Sequence, residues 1–123
     1  MRMVVLVMML LCASCPGRAD ESPGEAKNIY GVLMQGIQDG DVSVFQELGS
    51  EAFRKQMTPE FFQSSQVKIG MRLREGYSSS YLGKISKNHQ EIFLWKIITQ
   101  KNQEQLLATL VLQDNKVEAF YFQ

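Results

Sequence analysis

The sequence has little of the side-chain chemistry on which metal sites and disulfide scaffolds depend. Its 123 residues include two cysteines and one histidine. Cys12 and Cys15 both fall in the N-terminal stretch, so residues 20–123 contain no thiol and must fold without disulfides. His89 has no cysteine or second histidine with which to hold a metal ion. We therefore expect neither a metal nor a cofactor.

An excess of charge of one sign is also missing. Basic and acidic residues balance at 13 each, and without Arg2 and Arg18 the remaining 11 basic residues face 13 acidic ones. There is no block of basic residues, which argues against nucleic acid as a partner. The sequence also lacks a glycine-rich phosphate loop, a nucleophile elbow and a paired-carboxylate motif. These absences favour a binding function over catalysis.

Residues 1–19 have the character of an export leader. A basic second residue precedes an unbroken apolar run at residues 4–11, which is too short to span a membrane. The residues after this run fit two processing routes. Small residues three and one before Asp20 suit cleavage by signal peptidase and release of a soluble domain. Alternatively, the stretch LLCASC resembles a bacterial lipobox, in which Cys15 carries the lipid.

Either route places one folded domain, residues 20–123, in the periplasm or outside the cell. Its length suits a single domain with a modest core. A membrane contact is expected only through a lipid on Cys15.

The first half of this domain shows the 3.6-residue period of amphipathic helices. A capping box with a proline start opens the first helix at Ser22. A second helical stretch begins after Asp41 and is broken at Gly49. The same cap-and-proline chemistry at Thr58 starts a third helix, which Gly76 ends.

From Tyr77 onward the apolar residues have a period of two, which predicts four strands at about 78–87, 90–100, 104–113 and 116–123. Short polar connections such as Asn88-His89 and Asp114-Asn115 favour antiparallel hairpins, because a parallel return needs a longer crossover. Helices followed by such a meander form an α+β fold. We expect the helices to pack on one face of a curved four-stranded antiparallel sheet.

The register of the last hairpin predicts which residues each face of the sheet carries. A two-residue turn at Asp114-Asn115 pairs Ala108 with Tyr121, and a two-residue loop between the second and third strands adds Trp95 to this row on the helix-covered face. The opposite face is far more apolar than a solvated face should be. Its large apolar residues are Ile92, Leu94, Ile98, Leu107, Val111, Phe120 and Phe122.

This order of elements resembles the NTF2-like (cystatin-like) α+β cone. The closing segment LLATLVLQDNKVEAFYF looks like the last hairpin of the small exported NTF2-like domains of unknown function in bacteria. GDVSVFQEL…FRKQMTPEFF is similar to their stretch between the first and third helices. The resemblance covers residues 28–123, with Ala119 standing where those domains often have glycine. It implies a cone-shaped domain of a kind that often pairs sheet against sheet.

The resemblance does not bring an active site. NTF2-like enzymes that resemble ketosteroid isomerase hold an acidic base and a tyrosine–acid pair inside the cone. The second to fourth strands of this chain offer only Glu91, Glu104 and Tyr121 on the corresponding face, and both carboxylates fall at solvated strand ends. We expect no catalytic residue and interpret His89 as a surface loop residue.

Two functions of different classes are consistent with these patterns. The favoured one is an exported, non-catalytic interaction module of the cell envelope, which associates with itself or with another envelope protein through the outer sheet face. The apolar residues of that face would form the interface. The alternative is a pocket between helices and sheet that binds a small apolar molecule, or less readily transforms it. Its lining would be Tyr77, Tyr81, Phe93, Trp95 and Tyr121, although these side chains also suit an ordinary core.

Expression of the full chain in a bacterium tests the leader. Cleavage by signal peptidase yields a mature protein that starts at Asp20, whereas lipoprotein processing yields a diacylated Cys15. N-terminal sequencing and mass spectrometry of the purified protein distinguish these outcomes. An intact Met1 terminus in the cytoplasm would contradict both.

Overall fold

The computed structural model of the chain describes residues 24–123. Four helices come first: α1 (Gly24–Asp39), α2 (Ser43–Leu48), α3 (Glu51–Gln56) and α4 (Pro59–Arg74). Four strands come next: β1 (Tyr77–Lys87), β2 (Gln90–Thr99), β3 (Gln105–Gln113) and β4 (Lys116–Phe122). The predicted leader, its processing sites and the Ser22 cap lie outside the described residues.

The α+β fold is confirmed. The strands pair antiparallel in the order β1-β2-β3-β4, and helices pack on one face of the sheet. Each observed strand boundary lies within one residue of the expected one. No helix in this part of the chain has the length and the apolar character needed to cross a bilayer.

Side-chain caps set the starts of α3 and α4. The Ser50 hydroxyl accepts a hydrogen bond from the N–H three residues on (3.2 Å), and the Thr58 hydroxyl does the same for α4 (3.1 Å). Asp41 instead accepts bonds from the hydroxyl and the backbone N–H of Ser43, two residues on. These two bonds lower the pKa of the exposed Asp41 carboxyl. The predicted break at Gly49 is confirmed, since it separates α2 from α3.

The predicted hairpins also form. The turns Asn88-His89 and Asp114-Asn115 consist of residues with positive φ, at 54° and 68° in the first and 53° and 63° in the second. Two consecutive residues of this kind make a type I′ turn, whose twist matches that of paired strands. Asparagine and aspartate tolerate this conformation better than most residues.

One extra residue in β4 changes the second half of that strand. Leu112 faces Val117, as the register predicts, but the next pair is Val111 with Ala119. Glu118 is therefore a β-bulge. Because strand side chains alternate between faces, this one-residue shift moves every later side chain of β4 to the other face.

The bulge corrects the predicted end of the chain. Ala108 pairs with Phe122 and not with Tyr121, and Phe120 enters the core, where it is 4% exposed. The expectation that Phe120 and Phe122 point outward, and that Tyr121 points inward, is therefore wrong.

Aromatic rings join the helices to the sheet. Tyr30 of α1 lies flat on Trp95 of β2, with ring centroids 3.8 Å apart and planes 3° from parallel. The Tyr30 hydroxyl shares a hydrogen bond of 2.7 Å with Ser79 of β1. This contact places α1 across the first two strands. The helix-covered face of the sheet is consequently the core.

Two glycines in helices test how α1 packs on α4. A Cβ atom at Gly70 of α4 would collide with the carbonyl oxygen of Ile37 in α1, whereas Gly31 of α1 faces open space. We expect Gly70→Ala to lower the free energy of unfolding by about 1–3 kcal/mol, since backbone has to move. Gly31→Ala, the matched control, should raise it by about 0.5–1 kcal/mol, because alanine favours the helix. Urea unfolding measures both, and equal effects would contradict this packing.

Candidate functional site

The sheet face turned away from the helices carries two consecutive cross-strand rows of mainly apolar residues. Trp95 and Phe93 face the core, so their neighbours along β2 face outward. Register then places the partners of those neighbours on the same face. One row is Ile85, Ile92, Val111 and Ala119, and the next is Gly83, Leu94, Thr109 and Tyr121. We call these eight residues the outer patch.

Solvent reaches several large side chains of this patch. Ile85 is 52% exposed and Tyr121 is 44% exposed. Leu82, which forms the bulge of β1 beside the patch, is 55% exposed. Ile92, Leu94 and Val111 are half-buried by their neighbours. Thr109, in the middle of the second row, is buried, so the most exposed side chains of the patch belong to β1 and β4.

Polar residues border the outer patch at both ends. Beyond the first row lies a row formed by Lys87, Gln90, Gln113 and Lys116, in which the two glutamine amides are hydrogen-bonded (3.3 Å). Beyond the second row, Lys96 pairs with Ser80 and Leu107. An apolar centre with a polar rim is the usual anatomy of a protein interface.

Five of the seven predicted interface residues lie on this face. Ile92, Leu94 and Val111 belong to the outer patch, and Ile98 and Leu107 lie beyond its second row, all of them half-buried.

The other two predicted interface residues are elsewhere because of the bulge. Phe120 packs against Phe45 and Tyr30, each at a centroid distance of 6.3 Å. Phe122 lies edge-on to Phe120 at 5.3 Å and borders the core. Tyr121, which the regular register assigns to the inner pocket, takes their place outside.

The remaining predicted pocket residues lie on the helix side of the sheet. Tyr81 and Phe93 pack beside Trp95, with centroids at 5.6 Å and 6.3 Å. Tyr77 is half-buried, and burial raises the pKa of its hydroxyl, while a hydrogen bond with Gln38 opposes the rise. These contacts describe an aromatic cluster within the core. A role for this cluster in binding a ligand stays a prediction.

The polar candidates make ion pairs near solvent. Glu91 pairs with Lys84 at 3.2 Å, and both Glu104 carboxylate oxygens lie within hydrogen-bond distance of Arg72 (3.1 and 3.2 Å). His89 is an exposed turn residue. Within residues 24–123, no group of three or more potential metal-ligating side chains comes together.

A groove of about 360 Å³, which no sequence pattern predicted, lies between β4 and the helices α3 and α4. Gln66, a buried residue of α4, lines it and has an amide oxygen without a hydrogen-bond partner. A signal for Gln66 existed, because it lies in the buried stripe of α4 between Phe62 and Gly70. A polar residue in the buried stripe of a helix is unusual, because buried polar atoms normally have hydrogen-bond partners.

Comparisons with family models, with curated proteins and with solved structures found no match to this chain. Its architecture of N-terminal helices followed by a four-stranded antiparallel meander therefore rests on the structure alone.

Substitutions at adjacent positions of β4 test the faces that the bulge sets. Phe120→Ala should lower the free energy of unfolding by about 3–5 kcal/mol, because it empties a core position. Tyr121→Ala should cost less than about 1 kcal/mol, because this side chain is partly solvated. Denaturant unfolding of both variants at one low protein concentration measures the difference. A larger loss of stability for Tyr121→Ala than for Phe120→Ala would indicate the regular register and contradict the bulge.

Proposed function

We propose that the protein is an exported, non-catalytic interaction module in which two copies join through the outer patch. The observation that carries this proposal is the pair of adjacent, mainly apolar rows between more polar rows, on a sheet face that no helix within residues 24–123 covers. Monomeric proteins rarely leave contiguous apolar patches larger than about a few hundred Å² exposed. Covering such a patch removes apolar area from water, and this gain drives association once its entropic cost is met.

A second copy is the simplest occupant. A two-fold axis brings the same patch of both copies together, so that every residue of the patch finds an apolar partner surface. Stacked sheets pack about 10 Å apart, which lets side chains such as Leu94 and Tyr121 interdigitate between them. Such a contact does not require either core to rearrange.

The charges at the rim give the association a recognisable signature. Lys87, Lys96 and Lys116 are all exposed at the ends of the patch. In a pair of identical copies, these lysines repel one another weakly. Because salt screens such repulsion, added salt should strengthen self-association. Added salt would instead weaken binding to an acidic partner.

We also infer that the domain is NTF2-like, a proposal supported by the order of its elements and by the closing hairpin. In that fold, the pairing of copies through the sheet is frequent, which agrees with the outer patch as the contact. The leader in the sequence supports export. The alternative function, a pocket between helices and sheet, has less support because Tyr30 fills the space over Trp95.

Glutamate substitutions in the patch test the proposal. We expect the wild-type protein to dimerise with rising concentration in analytical ultracentrifugation. Leu94→Glu and Val111→Glu should shift the protein to monomer, because each places a charge in the apolar centre of the contact. Val32→Glu is the matched control, since Val32 is an exposed valine on α1, away from the sheet.

Circular dichroism checks that every variant remains folded. Wild-type protein that stays monomeric at high micromolar concentration and in high salt would contradict the dimer. A dimer that resists both patch substitutions as firmly as it resists Val32→Glu would place the contact on another surface.

A further inference from the structure

The groove beside β4 runs along the edge of the sheet. In the sheet formed by the described residues, β4 is an edge strand. Residues of α3, the connecting Met57 and residues 61–69 of α4 form the opposite wall, whose apolar side chains are Phe53, Met57, Phe61 and Ile69. On the strand side, the groove is lined by five consecutive residues, 118–122. Backbone therefore borders it, as well as side chains.

The hydrogen-bond ladder shows which backbone groups face the groove. Leu107 and Gln123 exchange two hydrogen bonds of 2.9 Å, so the N–H and C=O of Gln123 point toward β3. Backbone groups alternate in direction along an antiparallel edge strand. The N–H and C=O groups of Phe120 and Phe122 consequently point away from β3, toward the free edge. Within residues 24–123, no other segment forms a backbone hydrogen bond with them.

Ser50, the cap of α3, forms hydrogen bonds with this edge only as far as the bulge. The Ser50 N–H donates to the carbonyl oxygen of Val117 (2.9 Å), and the Ser50 hydroxyl donates to the Glu118 carboxylate (3.1 Å). The open part of the edge begins after these contacts. It includes no proline and no charged residue, two devices by which proteins commonly protect edge strands.

An unsatisfied amide lies in the opposite wall. Gln66 is only 7% exposed, and its Oε1 has neither a hydrogen-bond partner nor access to solvent. Buried polar atoms are nearly always hydrogen-bonded. Gln66 lines the groove, and the terminal torsion of glutamine is broad, so rotation about it can present this amide to an occupant. A donor placed in the groove would then satisfy it.

We propose that this groove binds an extended peptide segment, which adds to the free edge of β4 as a fifth strand. Its backbone would pair with the N–H and C=O groups of Phe120 and Phe122. A peptide N–H on its other side would reach the Gln66 amide oxygen, and an apolar side chain would rest against Met57 and Ile69. Strand addition of this kind derives affinity from main-chain hydrogen bonds and selectivity from alternate side-chain pockets.

The polar groups of the groove favour a peptide over an anion. The lining residues include no lysine, arginine or histidine, and Glu118 lies at one end. A phosphate or carboxylate would find no cation there. The backbone donors and acceptors of the edge strand face a wall that carries apolar side chains together with the neutral polar groups of Gln56, Ser65 and Gln66. An extended backbone, which offers donors and acceptors along both of its edges, complements such a pattern.

The site shares Ala119 and Tyr121 with the outer patch but lies at the edge of the sheet and not on its outer face. It uses the backbone of Phe120 and Phe122, whereas the patch uses side chains such as Tyr121. A variant that abolishes the dimer through Leu94→Glu should still bind the peptide.

Titration of the isotope-labelled full-length protein with a blocked peptide, acetyl-Leu-Thr-Leu-Thr-Leu-amide, tests the inference by NMR. We expect saturable shifts of the Phe120 and Phe122 amide signals and of the Gln66 side-chain NH₂ signals. Gln66→Leu should weaken binding about fivefold to tenfold, the usual effect of one hydrogen bond. Gln63→Leu is the matched control, because Gln63 is an exposed glutamine of the same helix, and it should bind as wild type.

N-methylated peptides test the strand pairing without changing the protein. One peptide carries N-methyl groups on its leucines and the other on its threonines. Because an added strand pairs with β4 through one of its edges, one peptide should lose binding, whereas the other loses only the bond to Gln66 and should weaken about fivefold to tenfold. This comparison decides the matter even if Gln66→Leu does not fold.

Equal binding of both methylated peptides, or saturable shifts confined to the outer patch, would overturn strand addition at β4. Absence of binding by the unmethylated peptide would also overturn it. If Leu94→Glu protein still self-associates with shifts at Phe120 and Phe122, a second copy occupies the edge, and the peptide assignment is wrong.

Discussion

The contact between Ser50 and the bulge of β4 is the constraint on which the two open surfaces depend. Ser50 caps α3 with its hydroxyl oxygen, and it also donates hydrogen bonds to Val117 and Glu118. This residue therefore joins helix to strand at the point where regular alternation fails. Without the extra residue at Glu118, Tyr121 would enter the core and Phe120 would face solvent. The composition of both faces, and the start of the open edge, depend on that one insertion.

The helices bury one face of the four-stranded sheet. The other face, which they do not cover, is mainly apolar at its centre. α1 is anchored over β1 and β2 by the stack of Tyr30 on Trp95, while α2 and α3 contact β4. Ordinary antiparallel sheets with one covered face carry polar residues on the other. The outer face of this sheet departs from that pattern in the two rows of the outer patch, but it keeps the pattern in the rows that flank the patch. An apolar centre with a polar border is the composition that the proposed dimer contact requires.

Local signals predicted most of the fold, and non-local contacts account for what they missed. Caps such as Thr58, the positive-φ turns and the period of two identified every element between residues 24 and 123. The bulge at Glu118 was beyond prediction because the contact found there, between Ser50 and Glu118, joins residues 68 positions apart. Five predicted interface residues lie on the outer face because they precede the bulge or belong to other strands. Gln66 is a polar residue in the apolar stripe of α4, which the sequence shows. The groove beside it was not predictable, because it forms only when β4 packs near this helix in the folded protein.

A wall of helix beside an open edge has a physical consequence for how the sheet can grow. An unprotected edge strand can pair with further strands without limit, which is how sheets aggregate. The groove instead confines the open edge of β4 beneath α3 and α4, and the side chains of Phe61 in α4 and of the connecting Met57 border the space. An occupant that pairs with Phe120 and Phe122 would meet this wall with its far edge, where Gln66 offers one hydrogen bond in place of another strand. The same feature that makes the edge selective for a single extended segment therefore also opposes unlimited strand addition.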